Sequence, residues 1–180
     1  MKLLRTIQLD ASDTFVFERA AEPGEWAVSG AFVFWGGKPE ELTGKARSAF
    51  RAGFLGVTSL GWSTLVQIVE ADSADRETVV DTLAHRLVES FGAPDLDTAR
   101  RAAEDEVTFV QSLCDHPADT LIAVHRGYEN GAVRESFRTL RPRNGPKPLR
   151  AFSFLEVDGE IEPQAGDDVD LVTLAGKDRR

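Results

Sequence analysis

Residues 72–114, DSADRETVVDTLAHRLVESFGAPDLDTARRAAEDEVTFVQSLC, contain two amphipathic segments separated by a short break. The first segment begins at a capping residue, Asp72 or Ser73, and stops at Gly92 and Pro94. Its apolar side chains recur at three-to-four spacing, which predicts an amphipathic helix. These side chains are Val79, Val80, Leu83, Leu87, Val88 and Phe91.

The second amphipathic segment follows at once, and it begins at Asp95 or Asp97 as the capping residue. Charged side chains occupy the side of the helix opposite its apolar stripe, so one face is expected to pack on the core. Two such helices joined by a few residues predict a helical hairpin. The stripe consists of Leu96, Ala99, Ala103, Val107, Val110 and Cys114.

The residues before the helical hairpin predict strands and one further helix. Three stretches, Lys2–Leu9, Thr14–Glu18 and Trp26–Trp35, are separated by turn-forming residues and read as strands. Both faces of the third strand are largely apolar, which indicates a position inside the sheet. A helix is predicted to open at Pro39 and to end near Gly53.

Strand-like segments also flank the helical hairpin directly. Ser63–Val69 precedes it, and Thr120–Arg126 and Ala132–Leu140 follow it, with Asn130-Gly131 as a strong signal for a β-hairpin turn. A last strand is predicted at Leu149–Val157. Strands in runs before and after the helices predict an α+β fold, with a mainly antiparallel sheet of about six to seven strands. Three helices, including the helical hairpin, are expected to cover one face of that sheet.

The organisation of the chain is predicted to be one globular α+β domain at residues 1–157 and an acidic, weakly ordered tail at 158–180. From Glu156 to Asp170 the chain has seven acidic residues and no Lys or Arg. The tail also has apolar residues with which it would dock on its own sheet or on a partner. These are Val169, Leu171, Val172 and Leu174.

The composition excludes several classes of function. The 180 residues are 42% apolar and carry a net charge of −9, which argues against a general binder of nucleic acid or of anionic membranes. We find no apolar run that matches a signal peptide or a membrane span. The single cysteine, Cys114, excludes an intramolecular disulfide and, alone, a structural zinc, so we expect a protein of the reducing cytoplasm.

Positive charge is concentrated near the predicted β-hairpin. The stretch from Leu121 to Arg150 contains seven basic residues and two acidic ones, which gives it a local net charge of +5. Arginine suits the recognition of carboxylate or phosphate, so Arg126, Arg134 and Arg138 are candidate ligands for an anion, with His125 as acid, base or donor. The alternative is that the acidic tail or the acidic helix faces neutralise these arginines.

Motifs for catalysis are weak. Cys114 and His116 lie two residues apart, which is compatible with a catalytic dyad or a metal site. Cys114 also continues the apolar stripe of its helix, which favours a buried, inert thiol. His85 reads as a helix-surface residue. The phosphate-loop, nucleophile-elbow and zinc-protease motifs are absent from the chain, so we predict no catalytic residue, metal or cofactor.

Aromatic residues are concentrated in the predicted strands, and core packing accounts for most of them. Phe15 and Phe17 share one face of the second predicted strand while Val16 lies on the other. An exposed aromatic near Trp35 would therefore indicate a docking surface for a partner.

Four segments together resemble an uncharacterised bacterial family of unknown function, and the resemblance covers nearly the whole chain. It implies a genomic association with multisubunit molybdenum and iron–sulfur oxidoreductases, and hence an accessory role. It transfers no functional residue. The segments are Ser29–Trp35, Gly61–Glu70, Ser112–Pro117 and Pro148–Glu156.

Two functional hypotheses follow from these features. The first is a non-catalytic cytosolic accessory protein that binds a protein partner or a second copy of itself. The second is a small enzyme or sensor that binds an anionic metabolite through Arg126, Arg134 and Arg138, with His125 nearby.

Overall fold

The computed structural model describes residues 1–142 and 155–161. The strands are β1 Lys2–Ile7, β2 Trp26–Val28, β3 Phe54–Gly56, β4 Trp62–Ser63, β5 Leu65–Glu70, β6 Leu121–Glu129, β7 Ala132–Pro142 and β8 Leu155–Ile161. Within the described residues they form one antiparallel sheet in the order β4-β3-β2-β1-β5-β6-β7-β8. The helices are α1 Ser12–Val16, α2 Gly44–Ala52, α3 Ser73–Phe91 and α4 Leu96–Ser112, with short 3-10 turns at Ala31–Phe34 and Pro39–Glu41. The predicted α+β class is confirmed.

The helical hairpin, α3 and α4, forms where its sequence predicts it. The Asp72 carboxylate accepts a hydrogen bond from the Asp75 amide at 2.8 Å, and the Asp75 carboxylate accepts one from the Asp72 amide at 3.1 Å. This reciprocal capping box begins α3, and Gly92, with φ of 75°, ends it. Asp95 caps α4 by accepting from the Thr98 amide at 2.7 Å.

The core lies between this helical hairpin and the sheet. Helix α4 packs against β1 and β2, and its Phe109 ring lies 5.8 Å from the Phe137 ring of β7. Apolar residues of α3, α4 and the central strands are buried together, and this burial provides most of the driving force for folding. They include Leu4, Ile68, Val80, Leu83, Ala103 and Ile122.

The prediction of a second strand at Thr14–Glu18 is wrong, because the chain forms the short helix α1 there. The Asp13 carboxylate accepts hydrogen bonds from the Thr64 amide at 3.2 Å and the Thr64 hydroxyl at 2.5 Å, which holds this turn against the start of β5. Phe15 is 76% exposed, whereas Phe17 is fully buried. These two rings therefore do not share a face.

The third predicted strand ends early, at Val28 rather than Trp35. Gly30 has φ of 77°, a conformation that ends an extended strand, and the 3-10 turn follows it. A Cβ added at Gly30 would lie 2.6 Å from the Cβ of Leu55, so the backbone approaches β3 too closely for any side chain. Close packing between distant segments thus decides this boundary.

Other boundaries also move. The helix predicted from Pro39 consists of a 3-10 turn followed by α2, which ends before Gly53 as expected. The connection after Gly53, predicted as a turn, contains the strand β3. The strand predicted at Ser63–Val69 divides at Thr64 into the end of β4 and the whole of β5.

The β-hairpin of β6 and β7 is confirmed, and both strands are longer than predicted. Asn130 and Gly131 have φ of 52° and 79°, as a tight hairpin turn requires. Strand β8 overlaps the last predicted strand, and it extends into residues 158–161 of the predicted tail. Residues 149–154 of that predicted strand and 162–180 of the tail lie outside the described residues. In the described part of the chain, no helix is long and apolar enough to cross a membrane.

Substitution of Gly30 by alanine tests the close approach to β3. We expect Gly30→Ala to lower the free energy of unfolding by about 2–4 kcal/mol, since it adds both left-handed strain and a clash with Leu55. Gly36→Ala is the matched control, because Gly36 has φ of 76° and open space around it. It should lose only about 1–2 kcal/mol. Equal losses in urea denaturation would contradict the packing argument.

Candidate functional site

The β6–β7 hairpin contains all four predicted site residues, and its register separates them. Arg126 lies opposite Glu135, while Arg134 lies opposite Gly127. Because neighbouring residues of a strand point to opposite faces and paired residues share a face, Arg126 lies on one side of the hairpin. His125, Arg134 and Arg138 lie on the other side. The structure therefore does not bring Arg126 together with the other three residues.

The Arg126 guanidinium is buried, with 1% of the residue exposed, and it binds groups of the protein itself. Its Nε donates to Glu135 Oε1 at 2.7 Å. Its Nη2 donates to the carbonyl oxygen of Ser29. Its Nη1 donates to the carbonyl oxygens of Ala49, Phe50 and Gly53 at 3.4, 3.0 and 2.7 Å.

The position of α2 explains why an arginine is needed there. Strand β5 pairs with β6 only as far as Ala123, and α2 packs against β6. The last carbonyl groups of a helix have no partner within the helix, and they carry its negative dipole end. Arg126 satisfies these carbonyls and adds a positive charge beside them. Its role in the described structure is to hold α2 on the sheet.

Two carboxylates and a serine complete this buried group, which we call the Arg126 cluster: Arg126, Glu135, Glu106 and Ser29. The Ser29 hydroxyl donates to Glu135 Oε1 at 2.5 Å, and the Gly30 amide donates to Glu106 Oε1 at 3.1 Å. Burial raises the pKa of Glu106 to about 6, and the nearby charge of Glu135 adds to that rise. The cluster thus contains one buried carboxyl group that titrates close to neutral pH.

The opposite side of the hairpin carries a basic face, which we define as His125, Arg134, Arg138 and Arg51. Arg51 comes from α2. Partial burial lowers the pKa of His125, and the positive charges of Arg51 and Arg138 lower it further. Arg51 and Arg134 are exposed and form no salt bridge with any residue in the described part of the chain. Three of the four predicted site residues therefore share one positive surface.

Small residues lie across the β6–β7 hairpin from two arginines of the basic face. Arg134 lies opposite Gly127 and Arg138 lies opposite Ala123. On its other side, Arg138 lies opposite the acidic residue Glu160 of β8. A Cβ added at Gly127 would meet nothing within 4 Å.

A second surface, the aromatic cleft, lies at the tip of the hairpin. Trp35 is 70% exposed and Tyr128 is 36% exposed, and both line this cleft. The expectation of an exposed aromatic near Trp35 rested on Phe15 and Phe17. Phe15 is exposed but does not line the cleft, whereas Tyr128 does. The remaining lining is uncharged: Phe34, Gly36, Gly37, Gly131, Ala132 and Val133.

The other candidate residues have structural roles in the described chain. Cys114 is buried, as predicted, and burial raises the pKa of its thiol to about 12, which favours the uncharged thiol. The backbone oxygen of His116 accepts from Lys2 Nζ at 2.5 Å. His85 Nδ1 lies 2.8 Å from the Asp81 carbonyl oxygen. Among the described residues, no group of three or more His, Cys, Asp or Glu side chains is arranged to hold a metal ion.

The structure thus defines an α+β domain with a two-faced hairpin. Residues 1–154 match the family described as Family of unknown function (DUF6505), and because the match covers most of the chain, the protein belongs to that family. The resemblance to an uncharacterised domain family is confirmed. No curated protein and no solved structure matches the chain.

The sequence analysis did not single out three residues of the candidate site: Arg51, Glu106 and Ser29. Glu106 lies among other acids on α4, and Ser29 precedes a glycine in an apolar stretch. Their importance arises only when α2, α4 and the hairpin come together. A basic run on α2, Lys45, Arg47 and Arg51, was the one available hint.

The buried role of Arg126 is tested by Arg126→Met. This change removes the partner of Glu135 and leaves the α2 carbonyls unpaired, so we expect a loss of about 3–5 kcal/mol of unfolding free energy. Arg134→Met is the matched control on the same hairpin, and it should change stability by about 0.5 kcal/mol or less because Arg134 is exposed. Similar losses for both variants in chemical denaturation would refute the assigned role.

The titration of Glu106 has a measurable consequence. Its folded pKa of about 6 lies above its ordinary value of 4.5, so the charged form disfavours folding. Below about pH 4.5, we expect the free energy of unfolding to change with pH equally in Glu106→Gln and in wild type. As the pH rises past 6, the variant should become more stable relative to wild type by up to about 2 kcal/mol. Denaturation of both proteins across this range measures the difference. A difference between the two proteins that does not change with pH would contradict this expectation.

Proposed function

We propose that this protein is a non-catalytic, cytosolic partner-binding module that contacts a protein subunit through the aromatic cleft. The observation that carries this proposal is the 70% exposure of Trp35 beside Tyr128. Trp and Tyr supply much of the binding energy at protein interfaces, because each buries a large rigid surface. A side chain of this size gains little from facing water.

The backbone under Trp35 is anchored, which favours binding. The ring of the preceding residue, Phe34, packs at 5.1 Å from the Phe50 ring and at 5.4 Å from the Trp62 ring. Trp35 follows in extended conformation, and Gly36 turns the chain with φ of 76°. Binding of a partner would therefore immobilise few further groups of this protein, and the conformational entropy lost on association would be small.

The chemistry of the cleft favours an apolar anchor on the partner. Its lining has no charged residue, and the nearby Lys38 is already paired with Glu41 at 2.7 Å. An apolar side chain from a protein subunit would fill the space between the Trp35 and Tyr128 rings. Burial of such a side chain contributes about 1.5–3 kcal/mol.

The resemblance to a bacterial family associated with molybdenum and iron–sulfur oxidoreductases supports a finer proposal. The partner would be a subunit of such a multisubunit enzyme, and the protein would act as its accessory. The lack of charge in the cleft is compatible with a subunit surface of this kind.

Native mass spectrometry of the protein purified gently from its own cells tests the proposal. We expect a complex of defined stoichiometry with one partner subunit, and we expect Trp35→Ala to lose that subunit while remaining folded. Phe15→Ala is the matched control, because Phe15 is 76% exposed but does not line the cleft. A wild-type mass of a monomer or homodimer, or a complex that Trp35→Ala retains, would overturn the proposal.

The basic face supports one alternative, a small enzyme or sensor for an anionic metabolite. His125, Arg134 and Arg138 share one side of the hairpin opposite small residues. In the same spectra, a stoichiometric small anion that Arg134→Ala loses and Trp35→Ala keeps would favour this alternative.

A further inference from the structure

We propose that Glu106 is a positioning residue for the aromatic cleft: its carboxylate holds the backbone turn that carries Trp35, and loss of its negative charge loosens that turn. The Arg126 cluster would then make docking at the cleft depend on pH. This value for docking rests on the partner-binding function proposed above, whereas the effect on Trp35 is measured in the protein alone.

The Arg126 cluster and the aromatic cleft lie on the same side of the β6–β7 hairpin. Tyr128 is two residues beyond Arg126 in β6, and its partner Val133 is two residues before Glu135 in β7. Residues i and i+2 of a strand point to the same face, so Tyr128 and Val133 lie about 7 Å along the hairpin from the buried charges. The nearest wall of the cleft is thus the next residue pair on that face.

The backbone turn that leads into Trp35 starts at the cluster. This turn is the 3-10 segment Ala31–Phe34, and amides at the start of a helical turn have no acceptor within it. The Gly30 amide donates instead to Glu106 Oε1 at 3.1 Å, an acceptor that comes from α4, 76 residues away in sequence. A charged carboxylate is a stronger acceptor for an amide than a neutral group is. The negative charge of Glu106 therefore strengthens the attachment of the turn.

The other end of the turn depends on the same cluster. The Phe34 ring packs at 5.1 Å from the Phe50 ring of α2, and Arg126 Nη1 donates to the Phe50 carbonyl oxygen at 3.0 Å. Arg126 Nη2 also donates to the Ser29 carbonyl oxygen, just before the turn. Both ends of the turn are therefore attached to one group of buried charges.

The surroundings of Glu106 make its charge sensitive to pH. Burial and the negative charge of Glu135 raise the pKa of Glu106 to about 6, against the opposing effects of the Gly30 amide and the Arg126 charge. As the pH falls below 6, the neutral carboxyl group becomes the major form and binds the amide less strongly.

Charged side chains of the other elements packed on α4 have partners of their own. In α3 and β1 they include Arg76, which binds Gln111; Glu77 and Asp81, which bind Arg100; Lys2, which binds the His116 backbone; and Arg5, which binds the Gly24 backbone.

NMR relaxation of the full-length protein tests this role of Glu106. The readouts are the order parameters of the backbone amides from Gly30 to Trp35 and of the Trp35 indole N–H, whose signal is assigned through Trp35→Phe. At about pH 7.5 we expect the backbone amides to be near the rigid value of about 0.85. The order parameters should decrease toward pH 5, with a midpoint of about 6, and the Gly30 amide signal should shift with the same midpoint.

Glu106→Gln separates positioning from general stability. The variant keeps a side-chain oxygen for the Gly30 amide but carries no charge at any pH, so it should show the lower order parameters of acidic wild type throughout the titration. Above pH 6 the same variant is expected to be more stable than wild type, because it buries no charge. A looser turn in a more stable protein is an outcome that a merely structural role would not produce.

Asp105→Asn is the matched control, because it removes one negative charge from the neighbouring, exposed position of α4. It should retain the pH-dependent decrease at Trp35. Order parameters that stay constant in wild type, or a decrease that Glu106→Gln retains, would overturn the proposal. The second result would assign the decrease to another group, such as His125.

The two proposals fail in different ways. A monomer in native mass spectra together with a decrease that depends on Glu106 would overturn the partner-binding function and support the positioning of Trp35 by Glu106. A captured subunit together with constant order parameters would overturn the role of Glu106 alone.

Discussion

The buried guanidinium of Arg126 is the contact on which the other features of this fold depend. It joins the end of α2 and the segment after β2, which are 73 to 97 residues away in sequence, to the β6–β7 hairpin. Within that hairpin it pairs with Glu135 on the opposite strand. The residues whose carbonyl groups it contacts are buried, and the Glu135 side chain is 15% exposed, so the loss of Arg126 would leave several groups with poor access to water and no partner. Together with the packing of Phe50 against Phe34, Arg126 holds α2, and with it Arg51, against β6.

Strand alternation then assigns opposite properties to the two sides of the hairpin. On one side Arg126 and Glu135 lie in the interior. On the other side His125 and Arg134 face outward, and Arg51 is added from α2. The chain as a whole carries a net charge of −9, so this positive surface differs in sign from the rest of the protein. The strand register and the position of α2 bring its basic residues together. The tip of the same hairpin contributes Tyr128 to the aromatic cleft, so one supersecondary unit supports both candidate surfaces.

Local patterns predicted the parts of this fold that local physics determines. Caps and periodicity located α3 and α4, and Asn130-Gly131 located the β-hairpin. Residues whose conformation depends on distant neighbours were not predictable: Gly30 ends β2 because β3 packs against it, and α1 forms because Asp13 bonds to Thr64. The same division holds for the candidate site. Period two in the strand places Arg134 and Arg138 on one face, but whether a charged residue lies inside or outside depends on what α2 and α4 bring to it.

The cap of α2 also constrains how the chain folds as it is synthesised. Helix α2 ends at Ala52, but Arg126, which binds its last carbonyls, comes 73 residues after Gly53. Domains are made from the N-terminus at about 5–20 residues per second, so several seconds separate the two. During that interval α3 and α4 have both been synthesised and can pack against each other. The last carbonyl groups of α2 still lack Arg126, the side chain that binds them in the native structure. We therefore expect the end of α2 to complete its native packing only after the β6–β7 hairpin has left the ribosome.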